Sequence, residues 1–521
     1  MKLLLINIYS TDTIARYLLS SYLLKAYLQK QFMDSEELTV HIFNFSCKTS
    51  IDIICNEILS YNPDFIGYSS YIWNIEHIIN IIRKLKSCTK YVHILGGPEI
   101  SLSRILPLSK ESTGDYYITG EGEKKLTDLM SYLIGKEKNI TLNVPDGIAY
   151  NKGDGIYYKE DKSFVKLEDV PSVYLTGVIE DYLYEKQQAF LETQRGCKFR
   201  CKYCVYHKQL PEVSYYPLQR ILDELDYLII NKKISALRIF DAIFTTDLNR
   251  AKIIVRHLYK LKEKLSSLPF IYWEFEYNSI DEEFIELVSS LKVRGKINNC
   301  HEILSVNRNQ IYTDILKDYT VINCTGIQSF CEDALKASGR QRINPKKFNE
   351  FMNIINKYNI VLKIDIILGL PCETFDTYFS GLELLLPYIK DTDHILNIHL
   401  LQILPGSELE LLCNDYGIKY SIYAPHIIYA TKSMEETELK RASILTAILF
   451  RIINSPLRKY FFKAKENEKV VDILEKILYA LRCEFPGINL FNQRVDDNYW
   501  NNNIYRDIPS DWLKEFLACY K

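Results

Sequence analysis

Cys197, Cys201 and Cys204 stand in C-x3-C-x2-C spacing within "RGCKFRCKYCVYHK", residues 195–208. A short loop can turn three such side chains toward one small object, and thiolates are ligands of iron-sulfur clusters and of zinc. Adding His207 gives a Cys3His set, the donor set of a structural zinc site, although such sites usually come as two separated pairs. Three thiols on a four-iron cube leave one iron without a protein ligand, open to a chelating small molecule. Lys198, Arg200 and Lys202 add positive charge that favours thiolates. So tight a triplet is a poor match to unrelated packing cysteines.

The remaining cysteines look different. The chain has 13, an odd number, scattered from Cys47 to Cys519. A secreted disulfide framework would be even and dense, so the thiols are expected to be free in a reducing compartment. Cys47, Cys55, Cys88, Cys413, Cys483 and Cys519 are expected to pack as small apolar residues. Cys300, Cys324 and Cys331 are too loosely spaced for a second cluster and are expected to be structural; Cys372, after "GLP", is expected to pack near a strand end.

Composition narrows the partners. Lys and Arg number 64 against 66 Asp and Glu, so no overall field recruits nucleic acid or an anionic membrane. The opening "MKLLLINIYSTD" reads as a strand rather than a signal peptide. The most apolar stretch, "SILTAILFRIIN", carries Arg451 and reads as a buried helix. A cytoplasmic location with no membrane partner is the expectation.

At 521 residues, 47% of them apolar, the chain predicts about three units at roughly 150 residues each. Residues 1–150 alternate strands such as "KLLLINI", "DFIGYSSY" and "KYVHILGG" with helical patterns, which predicts a Rossmann-like parallel sheet covered on both faces. Its ligands would lie beyond the strand C-termini, where Ser10, Ser69, Ser70, Gly96, Gly97 and Gly120 to Glu123 fall. Residues 151–185 read as a hairpin and linker. Residues 186–415 offer six strands, "AFLETQ", "ALRIFDA", "IYWEFEY", "YTVINCTGIQ", "VLKIDIILG" and "NIHLLQIL", and predict a partial (β/α)6 TIM-like barrel. Segment 293–318 reads as an insertion. Residues 416–521 are helical, with Ser433 and Glu436 placed as a capping box.

"CKFRCKYC" resembles the signature loop of the radical S-adenosylmethionine superfamily. "GIQSFCEDALKASGR", "IDIILGLPCET" and "LLQILPGSEL" recur there in the same order. "YSSY", "LGGPEIS" and "ITGEGEKKLTDLM" are similar to the cobalamin-binding domain preceding many such barrels. The resemblance covers about residues 1–412; beyond it the chain resembles the C-terminal extension of an uncharacterised branch of these enzymes.

The resemblance implies that Cys197, Cys201 and Cys204 hold a 4Fe-4S cluster whose open iron takes the amino and carboxylate groups of S-adenosylmethionine. Reductive cleavage would give a 5'-deoxyadenosyl radical. Tyr203 would pack near the adenine, Asp241 and Glu276 reach the amino group or ribose, Gln328 and Ser329 face the cavity, and Arg340 meet the methionine carboxylate. Asp241 departs from the glycine-rich motif usual there; Asp241 and Glu276 also fit strand-end caps, and Arg340 a surface ion pair. Ser69, Ser70, Gly96, Gly97, Gly120 and Glu121 would contact cobalamin. The D-x-H-x-x-G motif that supplies a cobalt ligand elsewhere is absent.

The implied reaction is methyl transfer from methylcobalamin to a carbon of an unknown small-molecule or peptide substrate, with an electron donor such as flavodoxin or ferredoxin. Ring contraction, cyclisation or oxidation, methylthiolation, and a non-catalytic zinc-stabilised binding protein remain alternatives.

Overall fold

The computed structural model describes the chain except residues 11–15, 34–35, 111–112, 141, 153–154, 162, 185–186, 207–209, 211, 266, 293–319, 467, 489, 491–503 and 521. His207, Cys300 and segment 293–318 thus lie outside the described residues.

The first sheet grows from β1 (Lys2–Tyr9), buried from Leu3 through Ile8. Such a continuous run marks a strand covered on both faces. The chain continues through α1 (Leu19–Gln31), β2 (Thr39–Ser46), α2 (Ile51–Tyr61), β3 (Phe65–Ser69), α3 (Ile75–Lys86), β4 (Val92–Gly96), α4 (Leu102–Lys110), β5 (Tyr116–Ile118) and α5 (Glu123–Glu137). The order is β2-β1-β3-β4-β5, all parallel, extended by the antiparallel hairpin β6 (Ile148–Asn151) and β7 (Ile156–Tyr157). Leu4, Ile6 and Ile8 join one core with Ile54 and Ile78 of α2 and α3. Leu3 and Leu5 face the opposite core, which runs on into the second sheet. Period-2 alternation therefore welds the two sheets through one face.

The second sheet holds β8 (Gln188–Leu191), β11 (Ala236–Ile239), β12 (Phe270–Glu274), β13 (Val321–Gln328), β14 (Leu362–Leu368) and β15 (Ile395–Leu400). They are parallel and sequential, and β8 and β15 are its two ends. Helices α6 (Leu218–Asp226), α7 (Leu248–Leu265), α8 (Glu282–Ser290), α9 (Glu332–Ala337), α10 (Pro345–Lys357) and α11 (Phe375–Ile389) fall between them. This is the expected partial barrel, whose loops after each strand form one mouth. The short pair β9 (Gln194–Arg195) and β10 (Ser214–Tyr215) closes antiparallel beside that mouth.

After the four-residue α12 (Glu408–Leu411) and the hairpin β16 (Lys419–Tyr420) and β17 (Ile428–Ala430), the chain turns helical: α13 (Glu436–Ile453), α14 (Arg458–Ala464), α15 (Val470–Glu484), α16 (Ile504–Asp507) and α17 (Ser510–Ala518). Every residue of α13 from Ala442 to Ile453 is buried, including Arg451, so "SILTAILFRIIN" is the buried helix expected. Asn454 gives its amide to both backbone groups of Leu396, accepting at 3.0 Å and donating at 2.7 Å, and so covers the outer edge of β15. The capping box is displaced from the expected pair. Glu435 is the N-cap and its amide donates to Glu438 at 3.4 Å. Ser433 and Met434 instead donate to the Thr431 hydroxyl, at 3.3 and 3.0 Å, which turns the chain before the helix can start.

Candidate active site

The cysteine triplet sits where β8 leaves the second sheet. Its entrance is pinned by the β9–β10 pairing, and Gly196 takes φ +91, a conformation that suits glycine. The loop's far side is tied down by Lys202, whose amide donates to Ser338 O at 2.9 Å and whose carbonyl accepts from Leu409 N at 2.8 Å. Gly339, at φ +71, permits this approach: a Cβ there would lie 2.8 Å from Arg200 O. Cys201 is buried, and Cys197 and Cys204 are partly exposed.

The three thiols sense one another. Burial pushes Cys204 up to about 11, opposed by the Tyr206 amide and reinforced by Cys201 and Cys197. Burial likewise raises Cys197. Burial thus favours the protonated forms of Cys197 and Cys204, and a positively charged centre would displace those protons. Among the described residues no three His, Cys, Asp or Glu side chains are grouped to hold a single metal ion. Three thiols on one loop, near enough that Cys201 acts on both Cys197 and Cys204, are the donor set for a cluster bound through three of its irons.

Around the triplet, Arg340 is the hub. It donates to Glu276 Oε1 and to Gly326 O, both at 2.7 Å, and points Nη1 at Cys201 Sγ from 3.6 Å. Burial raises Glu276, against the opposing pull of Arg340. Tyr203 is packed beside Arg340 and Cys201. Gln328 takes φ +68 at a register shift in β13 and lays its side chain over Gly326. Ser329 is buried, donating to Glu373 and accepting from Cys331 N at 2.9 Å.

Asp241 is 2% exposed and accepts from Thr193 N at 2.7 Å, the Thr193 hydroxyl, and Gln194 N at 3.2 Å. It therefore braces the residues that lead into the cysteine loop. Burial pushes it to about 7, although these Thr193 and Gln194 bonds pull the other way.

At the front sheet, the strand order reverses between β1 and β3, and the C-terminal ends of these strands flank a polar cleft. Ser69 Oγ meets Ser21 Oγ at 3.0 Å and Ser20 Oγ at 3.3 Å; Tyr71 donates to Ser20 at 3.0 Å. Tyr71 and Trp73 stack with centroids 4.5 Å apart, and the indole is 45% exposed. Ser70 is fully buried, its hydroxyl without a partner among the described residues. Gly97 lies against it at φ +110, where a Cβ would come 2.5 Å from Ser70 O. Gly96 ends β4, and Gly120 at φ +77 lies near Lys125. An orphan hydroxyl and a side-chain-free cradle at a switch point suit a large ligand bearing polar groups.

Glu121 binds elsewhere. Its carboxylate accepts from Arg195 at 2.9 Å and from Val165 N at 3.1 Å. Arg195 also donates to Glu123 at 2.7 Å and to Glu192 at 2.9 Å, so the residue entering the cysteine loop is bonded to the front domain. Sequence reasoning did not assign Arg195, Ser20 or Ser21 a role. Arg195 lies inside the cysteine motif, yet Glu121 and Glu123 stand 74 and 72 residues away from it.

Residues 19–130 match the B12 binding domain family. The chain is 24% identical over 369 residues to the cobalamin-dependent radical SAM methyltransferase TokK of Streptomyces tokunonensis, covering 68% of this chain and 50% of that protein. It spans about half the length of the curated relatives it matches. Among solved structures, the cobalamin-dependent S-adenosylmethionine radical enzyme OxsB with aqua-cobalamin and S-adenosylmethionine bound aligns with TM-score 0.58 and 15% identity, over 92% of this chain and 71% of that one. The radical S-adenosylmethionine methyltransferase TsrM of Kitasatospora setae, with cobalamin and [4Fe-4S] cluster bound, aligns with TM-score 0.57 and 15% identity, over 82% of this chain and 81% of that one. The chain therefore has a B12-binding domain and the fold of the cobalamin-dependent radical S-adenosylmethionine enzymes.

Proposed function

We propose that this protein is a cobalamin-dependent radical S-adenosylmethionine enzyme that transfers a methyl group to a carbon of a small-molecule substrate. The observation that carries this reading is the bonding of Arg195, at the entrance to the cysteine loop, to Glu121 and Glu123 of the B12-binding domain. It joins the three-thiol loop to the domain that would carry the corrin.

Cys197, Cys201 and Cys204 would hold the cluster. Tyr203, Glu276, Gln328, Ser329 and Arg340 surround the position for S-adenosylmethionine, and Ser69, Ser70, Gly96 and Gly97 would meet cobalamin. When bound, these groups supply an electron that cleaves S-adenosylmethionine and a methyl group carried on cobalt. The chain's own contribution is orientation and exclusion of water. Arg340 holds Glu276 and addresses Cys201 at once, so it fixes the wall beside the cluster. Asp241 fixes the entry to the loop. The electron comes from a small redox protein of the flavodoxin or ferredoxin kind.

Anaerobic purification with cobalamin supplied, followed by iron, sulfide, zinc and cobalt analysis, tests this directly. Iron, sulfide and cobalt are expected together. Cys201→Ala should abolish S-adenosylmethionine cleavage while cobalt is retained. Zinc without iron would end the reading, and iron without cobalamin would remove the methyl transfer.

A further inference from the structure

The strands of the second sheet carry charge on one face only. Leu237, Ile239, Ile271, Trp273, Ile364, Ile366 and Ile398 are buried in the apolar core. The residues between them, Arg238, Glu274, Lys363, Asp365 and His399, are half-buried and belong to the opposite, lumen face. Strand pairing sets Arg238 level with Tyr272, Glu274 with Cys324, and Cys324 with Lys363. This charged layer lies close to the cysteine loop, because Glu274 is among the groups that raise Cys204.

Some of these charges are satisfied. Asp365 accepts from Asn397 Nδ2 at 2.6 Å and lies 4.0 Å from Lys363 Nζ. Arg238 and Glu274 are not. They are diagonal neighbours on one face, since Glu274 stands two residues beyond the partner of Arg238, a separation that two long side chains can close. Yet among the described residues neither makes a hydrogen bond or an ion pair. The Arg238 guanidinium instead lies 4.8 Å from the Tyr272 ring centroid and 5.3 Å from that of Phe240. A half-buried guanidinium held only by ring faces and a half-buried carboxylate with no hydrogen-bond donor keep polar capacity that a ligand can fill.

We infer that the barrel lumen binds its substrate as a small α-amino acid zwitterion, with the carboxylate on the Arg238 fork and the ammonium on Glu274. A guanidinium fork matches a carboxylate with two parallel donors, and Tyr272 and Phe240 give the remainder of the ligand an aromatic wall. Burial and the neighbouring Asp365 raise Glu274 while Arg238, Lys363 and His399 pull the other way, and a ligand ammonium would add to that pull. The inference rests on the reading of the barrel mouth as catalytic and adds the class of molecule it acts on.

Equilibrium dialysis of radiolabelled common L-α-amino acids against the full chain, anaerobically reconstituted with cluster and cobalamin, tests it. At least one amino acid should be retained, with its methyl ester and its N-acetyl derivative each at least tenfold weaker. Arg238→Gln and Glu274→Gln should each weaken retention at least tenfold, Arg238→Lys should recover part of it, and the surface control Arg256→Gln should not alter it. Saturating S-adenosylhomocysteine should leave the amino acid bound. Failure to retain any of them, equal binding of ester and free acid, or displacement by S-adenosylhomocysteine would overturn the inference. Loss of iron or cobalt from the same sample would count against the enzyme reading instead, because dialysis reports the lumen alone.

Discussion

Arg195 donates to Glu121 Oε1 at 2.9 Å and to Glu123 Oε1 at 2.7 Å, bridging the strand that enters the cysteine loop to the residues that lead into and begin α5. Arg195 and Glu121 are each 11% exposed and Glu123 6%, so this is a buried network rather than a surface pair. Burial works to raise Glu123, and the charge and hydrogen bonds of Arg195 override it, leaving the carboxyl below its ordinary value.

Replacing Arg195 with Met strands these carboxylates, and breaking a buried pair in this way costs about 3–5 kcal/mol. The pH dependence should also reverse. In the parent chain the Glu123 contribution is present above the unfolded carboxylate pKa and is lost as pH falls through the lower folded value. In Arg195→Met the stranded carboxylates favour protonation, so stability should rise as pH falls from 7 to 5. Urea unfolding at the two pH values reads both effects.

Glu373 is 1% exposed, and burial pushes it up to about 8 despite the hydrogen bond from Ser329. The folded chain thus keeps a proton that the unfolded chain releases above about pH 4.3. Stability should fall as pH rises through that window and level off above the folded value, with a loss of about 3 kcal/mol by pH 7. Glu373→Gln should remove this slope, giving a higher melting temperature than the parent at pH 8 and little difference at pH 4.5. Calorimetry at both pH values is the check.

Gly97→Ala places a methyl group 2.5 Å from Ser70 O in a backbone conformation that L-residues avoid. The backbone term alone costs roughly 1–2 kcal/mol. The strand ends at the cleft must shift, and cobalt retention after anaerobic gel filtration should drop while iron content holds.

Arg458 clamps the helical extension onto the barrel. Its guanidinium donates to Ile453 O at 2.6 Å, Ile389 O at 3.0 Å, His394 O at 2.6 Å and Thr392 O. Arg458→Met removes a charged donor from all four carbonyls, of which Ile389 O keeps the Thr392 amide and hydroxyl, a loss of about 3 kcal/mol. Urea unfolding should show it, and limited proteolysis should cut first after residue 453. Arg458→Lys should restore only part, because one ammonium cannot reproduce the fork.

The barrel lumen was written in the strands but was not read there. "LKIDIIL" and "ILNIHL" place Lys363, Asp365, Asn397 and His399 at alternate positions of parallel strands covered by helices, where both faces are ordinarily apolar. That departure marks a sheet whose inner face is polar. Asp241 was legible as a residue of interest. Its bonds to Thr193 and Gln194 favour the strand-end cap among the roles the sequence left open.

By itself the sequence determined the α/β alternation, the partial barrel, the buried α13 and the C-x3-C-x2-C loop, because periodicity and spacing are properties of neighbouring residues. Only the tertiary structure decided that Arg195 meets Glu121 across 74 residues, that Asp241 braces Thr193 across 48, and that Arg238 and Glu274 face one lumen unpaired. Those relations depend on strand register and on how two sheets share a core, and no local pattern encodes which distant side chain will complete a charge.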